Sequence, residues 1–195
     1  MKKHFLLVSA MCFSSSLFAA DGKGQFAVKG IGNTSCSTYV TEVSKETPNS
    51  FLYAGWLNGY LTAQNQQLND TFDLISWETV NTLGNYLVSY CKKNPKQSFY
   101  MATSSMLGGL YEHRISSFSP ALTVKSDNGS VRVYKSIIQE IQRVLAKKGL
   151  YKGDVNGQYN KQTLKAVKAY QKKMGLTVSG LPDQATLFKL LPKNQ

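Results

Sequence analysis

Apolar positions in the last third of the chain recur at helical spacing. Tyr134, Ile137, Ile138, Ile141, Val144 and Leu145 share one stripe, which predicts a helix ending at Gly149 after the basic pair Lys147 and Lys148. Leu164, Val167, Tyr170 and Met174 predict a second helix over 161–174 that stops at Gly175, and a short third helix ends near Leu191. Both later helices are entered through the same phrase. The ten residues from 155 return from 178, with Gly157 on Gly180, Asn160 on Asp183, Thr163 on Thr186 and Leu164 on Leu187. Asn160 and Asp183 have the chemistry of N-caps, accepting from the orphan amides of a first turn. The glycine three residues before each cap allows a reversal at positive φ, so each copy reads as a tight turn feeding a helix.

The first half shows the same period. A short helix over 37–45 ends before Pro48, and a longer one over 49–67 carries Leu52, Trp56, Tyr60 and Ala63 on one stripe, with Trp56 read as core. Ser76 and Glu78 open a third pattern through Val80, Leu83, Leu87, Val88 and Cys91, closed by Lys92 and Lys93 before Asn94 and Pro95. Ser98 can cap a fourth running through Met101, Met106 and Leu110 towards His113. Residues 21–33 hold several glycines and few apolar residues, and read as an extended or mobile lead-in with order beginning near Cys36. Residues 116–130 are Ser-rich with Pro120 and the turn signal at 127–129; they read as a linker containing a short packed or extended piece at Leu122 and Val124, with some relative motion of the halves expected.

Targeting and charge narrow the picture. Lys2 and Lys3, an apolar run over 5–13 and the small residues Ala19 and Ala20 form a secretory signal peptide over 1–20, too short to span a bilayer. The expected mature protein is exported to the periplasm, with no membrane span. Residues 21–129 carry 8 basic and 8 acidic side chains, whereas residues 130–195 carry 13 and 3, net +10. A basic three-helix unit raises nucleic acid as a partner, which export disfavours; the same charge reads equally as attraction to an acidic partner and as a solvated helix face that aids solubility. Cys36 and Cys91 are the cysteines left after cleavage, an even count in an oxidising compartment. Their pairing would contribute about 4 kcal/mol through the long loop it closes. The rival reading is a thiol acting with His113, the one mature histidine.

Ile141, Gln142, Leu145, the run 149–157, Thr163, Ala166, Val167, Tyr170, Gln171, Gly175, Leu176, Gly180 and Thr186 together resemble the peptidoglycan-binding type 1 domain. Asn156 stands where that family usually has Asp, and Tyr170 where it has Phe. The resemblance implies a three-helix module over 131–195 that holds wall glycopeptide in a shallow groove without chemistry of its own. Tyr151, Asp154, Asn156, Gln158 and Tyr159 are the candidate lining. A tyrosine offers a flat face to a sugar ring, and Asp, Asn and Gln match amides and hydroxyls.

Residues 21–115 resemble the HdeA-like and Rap1a/Tai-like periplasmic helical proteins through Phe26, Gly30, Cys36, Tyr39, the run 56–60, Asn65, Asp73, Leu74, Tyr90, Cys91, Asn94, Pro95 and Ser98. The two cysteines fall where that group has its disulfide. The resemblance implies a fold more than an activity, since members include acid-stress chaperones and immunity proteins against wall-degrading toxins.

The expectation is therefore an all-α protein: a disulfide-stapled helical domain followed by a three-helix peptidoglycan-binding domain. No metal site, cofactor or catalytic residue is assigned, because one histidine cannot build a zinc centre. The carboxylates Glu78 and Glu112 read as first-turn charge and surface pair rather than glycosidase acids. The expected function is non-catalytic tethering of a partner-binding or protective domain to peptidoglycan. The alternatives are a wall hydrolase or its accessory subunit, and an acid-stress chaperone or immunity protein.

Overall fold

Short polar side chains start most of the helices. In the computed structural model, which describes residues 20–191, the order is α1 Cys36–Ser44, α2 Asn49–Gln67, α3 Val80–Lys93, α4 Phe99–Leu110, β1 Ala121–Ser126, β2 Gly129–Tyr134, α5 Lys135–Lys147, α6 Lys161–Lys173 and α7 Gln184–Leu190. The signal-peptide reading lies outside the described residues. The hydroxyls of Ser35 and Ser98 accept from Thr38 N and Met101 N to cap α1 and α4. Asn160 and Asp183 cap α6 and α7 by the same means, and each cap contributes about 1 kcal/mol. The start of α3 differs from the sequence reading. Thr79, three residues after Ser76, is the cap and accepts from Thr82 N.

The described chain is mostly helical with one small hairpin, and it has two cores. In the first, the Cys36–Cys91 disulfide joins the start of α1 to the end of α3, with both residues fully buried. Tyr39, Tyr53 and Phe99 pack ring to ring at 4.7–4.8 Å beside it. Burial, and then the neighbouring Tyr53, push the Tyr39 phenol up to about 12. Its hydroxyl donates to Gly84 O at 3.1 Å.

The buried stripe of α2 is Tyr53, Leu57 and Leu61, one position over from the predicted one, and Leu52 is 57% exposed. The helix is apolar on most of its circumference at 51–61, so the period alone does not choose a face. The aromatic pocket of Tyr39 and Phe99 chooses it by receiving Tyr53. Trp56 packs at the core's edge as expected, and its indole N–H donates to Lys29 O at 3.0 Å. That bond, with the Phe26 edge against Tyr100, holds the lead-in against the domain ahead of Cys36.

The first strand of a hairpin lies within 116–130. β1 and β2 form an antiparallel hairpin in register from Ala121 opposite Tyr134 to Ser126 opposite Gly129, with Val124 and Val133 buried in the second core. That core also takes in Ile115, and Phe72 and Trp77 pack against it from the first half. The halves are tied by polar bonds as well. The Tyr134 hydroxyl donates to Asp73 Oδ2 at 2.7 Å, and Gln184 Nε2 donates to Trp77 O at 2.7 Å. In this structure the two halves are in contact along these ties.

Candidate functional site

The doubled phrase is built around two fully buried glutamines. Gln142, on α5, accepts from Gly157 N at 2.9 Å through Oε1, while its Nε2 donates to Gln158 O at 2.9 Å and Thr163 Oγ1 at 3.1 Å. Gln171, on α6, does the same for the second copy. Its Oε1 accepts from Gly180 N at 2.8 Å, and its Nε2 donates to Leu181 O and Thr186 Oγ1, both at 2.9 Å. Gly157 and Gly180 adopt φ +73° and +70°, as the reversal requires. Each amide side chain thus clasps a turn from inside, satisfying backbone groups that would otherwise be buried unpaired. Both glutamines stood in the family pattern without a role. A buried polar residue at one helix-facing position is the signal that could have assigned it.

The five candidate lining residues gather round the first turn but do not share one exposure. Asp154 and Gln158 are exposed, and Asn156 is half-buried with its Oδ1 accepting from Gln158 N at 2.9 Å. Tyr151 is 4% exposed and its hydroxyl donates to Asp154 O. Its ring fills the space over Gly153, where a Cβ would sit 2.6 Å from the Tyr151 oxygen. Tyr159 is half-buried, its hydroxyl donates to Gly180 O at 2.8 Å, and burial, then Asp183, raise its pKa. Both tyrosines support the turn, and Asp154, Gln158 and the edge of Asn156 face outward.

Gly157 rests on the first turn of α5. A Cβ there would lie 2.6 Å from Lys135 Cγ, 2.9 Å from Lys135 O and 3.0 Å from Gln139 Cγ. Those two side chains also border an open cleft of about 990 Å³ between the halves, whose walls include Trp77 and the segment 112–120 on one side and α5 with Leu190 and Leu191 on the other. Arg114 lies over the Tyr111 ring at 3.8 Å and donates to Asp70 O and Tyr111 O.

The comparisons give these halves their relatives. Residues 4–101 match the model of the HdeA/HdeB family. The chain belongs to the HdeA/HdeB family. Residues 135–190 match a putative peptidoglycan binding domain, running from the first residue of α5 to the last of α7. No curated protein and no solved structure matches.

In this HdeA/HdeB-family chain neither matched model is that of a catalytic domain. Cys91 is bonded to Cys36, so it is not a free thiol beside His113. Glu112 and His113 are exposed on a short 3-10 turn at the cleft's edge. Glu78 is buried just before α3, its Oε2 accepting from Trp77 N. Among the described residues no group of three or more His, Cys, Asp or Glu is placed to hold a metal.

Proposed function

We propose that this is an exported, non-catalytic envelope protein whose module over 131–195 binds peptidoglycan and thereby holds the helical half, 21–115, at the wall, with 116–130 joining them. The observation that carries the reading is the peptidoglycan-binding match over 135–190. The net charge of +10 on residues 130–195 supports it, since stem-peptide carboxylates attract such a surface. The clasped turn at 151–159 presents amide, carboxylate and main-chain groups on a rigid loop, which suits the hydroxyls and acetamides of a glycan. Co-sedimentation of the full mature chain with purified insoluble peptidoglycan tests it. Retention is expected, reduced several-fold by Asp154→Ala with Gln158→Ala; a wild-type chain left in the supernatant overturns the reading.

A second reading, a protective role for the first half, is favoured by Phe51 and Leu52, which stand 79% and 57% exposed at the start of α2. If that half shelters unfolded clients, Phe51→Ser with Leu52→Ser lowers suppression of client aggregation. An unchanged aggregation curve removes this role.

A further inference from the structure

We propose that the wall-binding track continues from the turn at 154–158 into the cleft between the halves, and that the cleft receives the acidic peptide arm of peptidoglycan. The inference rests on the wall-binding reading and adds a claim to it: the HdeA-family half supplies part of the site.

Three observations lead there. The turn and the cleft are adjacent, because a Cβ on Gly157 would meet Lys135 and Gln139 and both of these line the cleft. A glycan held at Gln158 would therefore carry its peptide over the first turn of α5 without leaving the protein surface. The cleft's volume, about 990 Å³, lies at the upper end of ordinary ligand sites.

The charge of the rim is the second. Lys135, Arg143 and Lys148 project from the α5 side and are exposed, and Arg114 comes from the first half. Glu112 and Glu140 oppose them, and Glu140 is paired with Arg143. The balance is net positive, in a concave site where the surrounding protein focuses the field. The side-chain hydroxyl oxygen of Ser136, on the same helix turn and lining the same cleft, is buried with no hydrogen-bond partner in the protein. An oxygen or amide of a ligand would satisfy it.

The third is the floor, which is apolar: Ile137, Val144 and Leu190 with Ile115 from the other side. Short apolar depressions under a basic rim fit a peptide that alternates methyl side chains with carboxylates, the chemistry of a wall stem peptide. A neutral sugar chain would use neither feature.

The test uses the full mature chain with two soluble probes, a disaccharide carrying an alanine, glutamate and diaminopimelate stem and the same disaccharide without it. Lys135→Glu with Lys148→Glu reverses two exposed rim charges, and an unchanged thermal transition shows that the fold is kept. The expected result is at least a tenfold loss of affinity for the stem-bearing probe, little change for the bare disaccharide, and tighter binding by Glu112→Lys, which alters the first half alone. Stem-probe affinity within twofold of wild type in the double variant overturns the cleft assignment. So does a double variant that loses anionic phospholipid vesicles while keeping the stem probe. If the double variant fails on the stem probe but wild type also fails to sediment with insoluble peptidoglycan, the peptide site stands and the tethering reading falls. If wild type sediments but does not bind the stem probe, the tethering reading stands and the peptide site falls.

Discussion

The two copies of the turn phrase are alike inside and unlike outside. In each, a buried glutamine accepts from a glycine amide and donates to a carbonyl and a threonine hydroxyl. The first copy turns Asp154 and Gln158 to solvent. The second is covered: Leu181 and Ser179 are buried, Asn128 donates to Ser179 O, and Tyr159 donates to Gly180 O. Just after it, Gln184 bonds Trp77 O, Thr79 N and Thr82 Oγ1 at the start of α3. One local design thus leaves polar groups open to solvent in one place and is covered by docking in the other, and the neighbours decide which.

Removing a clasp should have the largest effect. Gln171→Ala leaves a glycine amide, a carbonyl and a threonine hydroxyl without a partner in a fully buried site, and about 3 kcal/mol of stability should be lost in urea unfolding. Gln142→Ala should cost a similar amount, because its bond pattern is the same. If one variant is nearly neutral, the internal equivalence of the copies is refuted.

Substituting the turn glycines separates the copies. Alanine is strained at positive φ in both, but at Gly157 the new Cβ meets a backbone atom, Lys135 O at 2.9 Å. At Gly180 it meets side chains, with the flexible Lys168 Cε nearest at 2.8 Å. Gly157→Ala should therefore cost about 2 kcal/mol and Gly180→Ala about 1 kcal/mol, read from denaturant midpoints. The opposite order would mean that the first turn yields more easily than its packing implies.

The parts of this fold that are legible in sequence are those set by neighbours a few residues away. The ends of α2, the caps Ser98, Asn160 and Asp183, and the positive-φ glycines Gly157 and Gly180 all lie where composition and period place them. The buried face of α2 is not legible, because apolar residues surround the helix and only Tyr39 and Phe99 select among them. The docking is hidden for the same reason: Gln184 and Trp77 are 107 residues apart and nothing local marks either as a partner. In the candidate site the turn itself was readable, while the burial of Tyr151 follows from the room left above Gly153, which only the folded loop defines.

Gln184→Ala probes the docking function of the second copy. It removes three hydrogen bonds that span the halves at a half-buried site, and about 1 kcal/mol should be lost. Hydrogen exchange should quicken at the first turn of α3 and not at the 154–158 turn. Faster exchange at both would show that the halves respond as a single unit and that the two copies are not separable in use.

The smallest effect is expected at the other polar tie, Tyr134 to Asp73. Burial first, then the hydrogen bond to the Asp73 carboxylate and its charge, push the Tyr134 phenol up to about 12 from an ordinary value near 10. A raised folded value means the neutral phenol is favoured by the fold. Its contribution is fully present below about pH 10 and is lost as pH rises through 12. Tyr39 titrates in the same window and burial also raises Tyr53, Tyr60, Tyr86, Tyr159 and Tyr170, so the alkaline loss of stability is shared among these residues. Tyr134→Phe should lower stability at neutral pH by under about 1 kcal/mol and flatten only part of the alkaline slope, leaving the share of Tyr39 and the other raised tyrosines. The two differ in place: Tyr39 is closed within the first core, whereas Tyr134 bridges the halves. Ionising Tyr134 sets a second negative charge against Asp73 and should loosen the docking before the first core opens, so hydrogen exchange at 72–75 should rise ahead of exchange in α1. Simultaneous opening would make the junction as strong as the core it joins.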